Sequence, residues 1–243
     1  MAAILTIIYL LASVTFIVGL KMLSHPERAR RGNLVAAAGM AAAIAGTIFW
    51  YKDENGRVLQ NHIWILGGLL IGGIAGTIAA RKVKMTAMPE MVSLFNGMGG
   101  ACAALISVSE FRHLIGSLQS VPGLTAIDAA FQGSLQQHLL VIVAGVVIGS
   151  VSFTGSIIAW GKLSGRIRDI VFRGQHLLNI VLLLVTFVMA LYLVGRLPAG
   201  GVLLFYIILG LSLLYGVFFV MPIGGTGVPG GMSLLNSFKS WVA

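Results

Sequence analysis

Long uninterrupted runs of apolar residues dominate the chain, and short polar stretches separate them. A hydrocarbon core of about 30 Å requires roughly 20 apolar residues per helical span. The runs are continuous and do not alternate with polar positions, as the strands of a membrane barrel would. The pattern predicts an all-α fold, a polytopic transmembrane helical bundle with a truncated eighth span opening near Gly231. The seven complete spans are expected at residues 3–21, 33–51, 63–80, 91–109, 138–160, 177–195 and 201–221.

Composition agrees with a bilayer environment. Of the 243 residues, 58% are hydrophobic and only 9% are charged, whereas about a quarter of a soluble domain is charged. Most of the surface must therefore face lipid, which makes this an integral membrane protein. The first span lacks a preceding basic stretch and a cleavage site, so we expect it to be retained as a helix. The single cysteine, Cys102, argues against a disulfide or a multi-cysteine metal site.

The net charge of +9 is distributed unevenly among the loops. Loops that follow spans one, three and five hold eleven Lys or Arg residues, whereas the opposite loops hold four. Because cytoplasmic loops are enriched in basic residues, this bias predicts an N-terminus outside. A nucleic-acid site would instead need a basic patch on one folded surface, so we expect no nucleic-acid partner.

The longest connection, residues 110–137, is predicted to lie outside as a turn-containing excursion with room for a short interfacial helix. Pro122 and Gly123 are the turn signals within it. Small residues at four-residue spacing predict the faces at which membrane helices pack. They are Ala42 and Gly46 in span two, Gly68, Gly72 and Gly76 in span three, and Gly145 and Gly149 in span five.

Candidate chemistry within the spans is neutral. None of the seven complete spans carries an Asp, Glu, Lys, Arg or His near its centre, so no carboxylate or histidine relay is expected. Asn96 must face the bundle interior, because an unpaired amide in hydrocarbon costs several kcal/mol. The glycines that follow it either let a second backbone approach or leave room for water. Span five adds four hydroxyls, which can also bond their own helix carbonyls: Ser150, Ser152, Thr154 and Ser156.

A glycine-rich segment near the end of the sequence is similar to a nucleotide-binding motif. The stretch "GTGVPG", Gly225 to Gly230, formally matches the dinucleotide-binding pattern. A genuine fingerprint follows a strand and opens a helix within a βαβ unit. Here the segment follows a membrane span and contains Pro229, so nucleotide binding by this segment is not expected.

Four motifs in order carry a resemblance to a known family: "KMTAMPEMVSLFNGMGG", "VSFTGSIIAWGKL", "RGQHLLNIVLL" and "MPIGGTGVPGGMSLLNS". Nearly end to end, the chain resembles the membrane domain of the β subunit of proton-translocating nicotinamide nucleotide transhydrogenase. The resemblance implies an enzyme that couples hydride transfer between NADH and NADP+ to proton passage, in the inner (plasma) membrane. Residues 1–243 would then form the transmembrane proton-channel domain.

The resemblance also implies the partners. This chain would bind no cofactor and hold no catalytic residue, since NADP(H) and NAD(H) bind associated soluble domains, and the NADP-binding domain is absent from this sequence. The expected partners are the transhydrogenase α subunit, the NADP(H)-binding domain and the lipid bilayer, in a two-fold dimer of α/β units.

Site residues follow from the same resemblance. Asn96 matches a channel position where relatives often have His, and Gly227 stands where the family usually has an Asp that helps coupling. The relatives with Asn at that channel position carry a histidine on the second helix, and this chain has none there. The expected proton pathway comprises Asn96, Ser150, Thr154 and Asn236. The expected coupling loops contain Glu90, His176, Gly225 and Gly227.

Two alternatives remain open at this point. A small secondary transporter would show inverted repeats and broken helices at a midplane site; the glycines of span four fit this weakly, and the missing symmetry opposes it. A scaffold subunit without its own conduction would assemble with its partners but pass no protons. Uptake by the chain alone would favour the transporter, and assembly without conduction would favour the scaffold.

Overall fold

The computed structural model describes residues 2–23, 25, 27–51, 61–119, 129–196 and 201–223. Within these ranges the regular elements are helices, and no strand occurs. The all-α fold with seven complete spans is thus confirmed, since seven helices are long and apolar enough to cross a membrane. The expected eighth span lies outside the described residues. The helices are α1 Ala2–Leu23, α2 Ala29–Trp50, α3 His62–Lys82, α4 Met88–Gln119, α5 Ala129–Leu163, α6 Gln175–Arg196 and α7 Gly201–Val220.

The chain divides into two compact units, and the first is Met1–Lys82. In this unit α1 and α2 form an antiparallel pair with glycines at the contact. A Cβ added at Gly19 would lie 2.8 Å from the carbonyl oxygen of Gly32, and one at Gly46 would lie 2.9 Å from Cγ2 of Ile8. The packing face predicted for span two is therefore confirmed at Gly46.

Helix α3 belongs to the same unit and buries none of its residues among the described ones. A Cβ added at any glycine of its predicted stripe meets no described atom within 4 Å. Its apolar side chains are largely exposed, as lipid-facing side chains would be. Packing through this stripe therefore stays a prediction; the stripe is Gly68, Gly72 and Gly76.

The second unit, Val83–Ala243, is built around α5. Half of the apolar window of α5 is buried, the largest share among the seven described spans. Helices α4 and α7 pack along α5, and α6 packs mainly on α7. The core lies toward the α4 carboxyl end, where the rings of Phe111 and Phe205 stack with centroids 3.9 Å apart. Around them, Leu139, Val146 and Leu193 are fully buried.

The prediction that residues 110–137 form a turn-containing loop was wrong at both ends. Helix α4 continues to Gln119 and α5 begins at Ala129, so most of this stretch is helical. The segments "EFRHLIGSLQ" and "AAFQGSLQQ" contain no proline and mostly tolerate helix. A helix need not end where the hydrocarbon ends, because water solvates its polar side chains. The predicted turn residues, Pro122 and Gly123, lie outside the described residues.

Candidate functional site

Helices α4 and α5 run antiparallel and approach closely along a face of small residues. A Cβ added at Gly149 would lie 2.6 Å from the backbone nitrogen of Ala104 and 2.8 Å from the carbonyl oxygen of Gly100. A Cβ added at Gly100 would lie 2.7 Å from the backbone nitrogen of Phe153. The two backbones are thus in direct contact, which confirms the face predicted at Gly149. The glycines after Asn96 serve close helix approach, the first of their two expected uses.

This close approach brings Asn96 to a polar partner on α5. Its Nδ2 donates to Oγ of Ser156 at 3.3 Å, and the hydroxyl of Ser93 donates to the Ser156 carbonyl oxygen at 2.8 Å. Ser93 and Ser156 are fully buried, and Asn96 is partly buried. The three residues form what we call the Asn96 cluster. The amide therefore faces a neighbouring helix, as its burial cost requires.

The other predicted hydroxyls of α5 occupy different surroundings. Ser150 and Ser152 are fully buried, and neither Oγ has a hydrogen-bond partner among the described residues. The hydroxyl of Thr154 donates to the Ser150 carbonyl oxygen of its own helix at 3.0 Å. Thr154 also lies against α7, where a Cβ added at Gly216 would meet its Oγ1. Asn96 of α4 contacts Ser156 of α5, whereas Thr154 of α5 faces α7. Asn96 and Thr154 are therefore not brought together.

The predicted coupling residues are only partly described. Glu90 is in the first turn of α4 and His176 is the second residue of α6, so both lie on helix ends instead of in loops. Glu90 follows Pro89, which suits a first turn because proline there removes no helical hydrogen bond. A carboxylate at a helix N-terminus is also favoured by the helix dipole. Gly225, Gly227 and Asn236 lie outside the described residues.

Two residues, Ser93 and Lys162, were not among the site residues predicted from the sequence. Ser93 is three residues before Asn96, so both lie on one helix face, and this spacing was the available signal. Ser156 stands out only as one hydroxyl of span five. Lys162, counted above as a topology signal, has a buried ammonium that lies 2.7 Å from Oδ1 of Asp169. Nothing in the local sequence indicates that this lysine points inward.

The chemistry available to the Asn96 cluster is that of neutral hydrogen-bonding groups. An amide and hydroxyls can hold water and pass protons along hydrogen bonds, but they supply no strong acid, base or nucleophile. Among the described residues no group of three His, Cys, Asp or Glu could hold a metal ion. A dinucleotide site needs a strand leading into a glycine-rich turn, and the described ranges offer no strand.

Comparison with known proteins identifies the family. A family model described as the NAD(P) transhydrogenase beta subunit matches residues 5–243. Two curated relatives from Rhodospirillum rubrum, each called NAD(P) transhydrogenase subunit beta, are 34% identical to this chain over 237 residues. That alignment covers 97% of this chain and 47% of the relative, so the chain spans about half the length of these relatives. This chain belongs to the NAD(P) transhydrogenase beta subunit family.

Proposed function

We propose that this chain is the membrane domain of a proton-translocating NAD(P) transhydrogenase. In that reaction NADH transfers a hydride to NADP+, giving NAD+ and NADPH, while protons cross the membrane. The chain contributes the proton path, and associated soluble domains bind NAD(H) and NADP(H). Family membership supports the reaction. The observation that carries the role of this chain is the hydrogen bond from Asn96 of α4 to Ser156 of α5.

The Asn96 cluster suits a proton path without an ionisable group. Three polar residues meet at one level of the bundle, whereas their surroundings are glycine and apolar side chains. Water held by such groups is stabilised by two to four hydrogen bonds. Farther along α5, the unpartnered hydroxyls of Ser150 and Ser152 are further groups to which water can bond. Thr154 and Asn236 remain proposed members of the path.

Charge supports an orientation for the second unit. In the second unit, the starts of α4 and α6 and the ends of α5 and α7 lie at one end of the bundle, as the antiparallel contacts require. This end carries Lys162 and three arginines: Arg166, Arg168 and Arg173. We propose that it faces the cytoplasm and the NADP(H)-binding domain, with Glu90 and His176 beside it, and that the N-terminus lies outside. The proposed partners are the α subunit and a second α/β unit, in the inner membrane.

The test is Asn96→Leu in the complex with its associated subunits, reconstituted into liposomes. Leucine removes the amide at similar size and leaves an apolar surface that cannot hold water. We expect the rate of proton pumping to fall at least about fivefold, because a proton path that lacks a polar partner costs about 1 kcal/mol or more. The matched control is Cys102→Ala on the exposed face of the same helix, which should pump as the wild type does.

Two experimental results would contradict the proposal. Unchanged proton pumping by Asn96→Leu would remove this residue from the path. A wild-type complex that assembles and transfers hydride but moves no protons would leave the chain a scaffold.

A further inference from the structure

Near its carboxyl end, α7 contains a backbone carbonyl to which no N–H group of the same helix can donate. In an α-helix the carbonyl of residue 218 would accept from the backbone N–H of residue 222. That residue is Pro222, which has no N–H. The carbonyl oxygen of Phe218 is therefore an orphan acceptor inside the bundle, and a buried unpaired carbonyl is costly.

Two amides of α6 supply the missing donors. Nδ2 of Asn179 donates to the Phe218 carbonyl oxygen at 3.2 Å, and Nε2 of Gln175 reaches the same oxygen at 3.4 Å. Gln175 and Asn179 are four residues apart, so they project from one face of α6. Gln175 is buried, and its Oε1 accepts from the backbone N–H of Phe172 at 3.4 Å. The first turn of α6 is thereby tied to the last turn of α7.

Lys162 donates hydrogen bonds to two backbone carbonyls that lie farther along the chain. Its Nζ donates to the carbonyl oxygen of Met221 and to that of Ile223, the latter at 3.0 Å. The third donor of the ammonium is directed to Oδ1 of Asp169 at 2.7 Å. An ammonium has three donors, so every one has a partner. A cation at this place also complements the negative end of the α7 dipole.

Burial shows that this arrangement is more than a surface ion pair. The side chain of Lys162 is 1% exposed, whereas that of Asp169 is 49% exposed. Removing an ammonium from water costs several kcal/mol and is offset only where its hydrogen bonds are satisfied. A methionine or leucine would fill the same space without that cost. The charge is therefore explained by the carbonyls that it binds and not by packing.

We propose that Lys162, Gln175 and Asn179 are positioning residues that hold the carboxyl end of α7 in a fixed conformation, and we call them the α7 clamp. The clamp residues lie in the motif segments "GKL" and "RGQHLLN", and two of the carbonyls that they bind lie in "MPI". The clamp sets the direction in which the chain leaves α7. The functional part rests on the proposed function: the direction in which the chain leaves α7 couples proton passage to hydride transfer.

The first experiment measures backbone hydrogen exchange at the end of α7 in the intact complex. The backbone N–H groups of Met221 and Ile223 bond to Val217 and Val220 in the clamped conformation. In Lys162→Met we expect both to exchange at least about tenfold faster, because hydrogen bonds to a charged donor are lost. The matched control is Thr186→Val, a buried hydroxyl of α6 that bonds only its own helix. Unchanged exchange in Lys162→Met would overturn the clamp.

A second variant tests the role of Pro222 independently. Pro222→Ala restores a backbone N–H that can donate to the Phe218 carbonyl oxygen. Asn179→Leu should therefore accelerate exchange at the end of α7 strongly in the wild-type background and only weakly in the Pro222→Ala background. Equal effects in both backgrounds would show that Asn179 does not substitute for the missing donor.

The functional arm measures protons pumped per hydride transferred in liposomes. We expect Lys162→Met to lower this ratio at least about fivefold while hydride transfer in detergent stays within about twofold. A ratio equal to that of the wild type, with exchange accelerated, would overturn the positioning role. Absence of pumping in the wild-type complex would instead refute the proposed function, and the exchange measurements would still decide whether the clamp exists.

Discussion

The α4–α5 contact allows a sharp test, because the backbones touch where Gly149 has no side chain. Gly149→Ala adds one methyl group 2.6 Å from the backbone nitrogen of Ala104 and 2.8 Å from the carbonyl oxygen of Gly100. Ordinary van der Waals contact begins near 3.4 Å. Neither obstacle is a flexible side chain, so the helices themselves must move apart by more than half an ångström.

The size of the effect follows from that separation. A gap of 0.5–1 Å forfeits about a quarter to a half of the dispersion energy of each atom pair at the interface. Overpacking of this kind typically costs about 1–3 kcal/mol. Alanine also has a better helix propensity than glycine, by up to about 1 kcal/mol. A second glycine substitution is needed to remove that contribution.

Gly210→Ala is the matched control, because Gly210 lies within α7 of the same unit and an added Cβ there meets no described atom within 4 Å. Unfolding by SDS in mixed micelles, followed by tryptophan fluorescence, gives both free energies. We expect Gly149→Ala to be less stable than Gly210→Ala by about 1–3 kcal/mol. If the two variants are equally stable, the backbones are not in contact at Gly149 and the reasoning fails.

Two further predictions use the same unfolding measurement. Phe205→Ala should lower the free energy of unfolding by about 3–5 kcal/mol, since Phe205 is fully buried and stacks on Phe111; a loss below 1 kcal/mol would contradict this core. Gly19→Ala should be less stable than Gly72→Ala by about 1–3 kcal/mol, because the new methyl would lie 2.8 Å from the carbonyl oxygen of Gly32, whereas a Cβ added at Gly72 of α3 meets no described atom within 4 Å. Equal stability of the two variants would contradict the contact at Gly19.

The spans could be predicted from sequence because membrane insertion depends on local composition. An apolar run of sufficient length must be helical in a bilayer, whatever its neighbours are. Helix ends outside the bilayer follow other rules, and this explains the wrong prediction for residues 110–137. There α4 continues past Glu110 to Gln119. Tertiary packing holds this extension, because Phe111 is buried against Phe205, and Leu114 and Ile115 pack on the same core.

The candidate site was predictable in part. Burial cost alone implies that Asn96 needs a polar partner, but the identity of Ser156 depends on how α4 rotates against α5. That rotation is set by glycine contacts between residues far apart in sequence, such as Gly100 with Phe153. The role of Lys162 was harder to predict, because it binds backbone carbonyls and every residue type has one. Pro222 marks in the sequence that the Phe218 carbonyl will need a donor from another helix.

Helix α5 contributes Ser156 to the Asn96 cluster and Lys162 to the α7 clamp, and this connects the two proposals. Ser156 and Lys162 are six residues apart, roughly 9 Å along a helix that rises 1.5 Å per residue. Such a helix moves as a rigid body over this distance, so a displacement of Lys162 by the end of α7 also displaces Ser156. The hydrogen bond from Asn96 is 3.3 Å long, near the limit at which such bonds persist. We therefore expect a shift of α5 at Lys162 to change the length of the polar contact between α4 and α5.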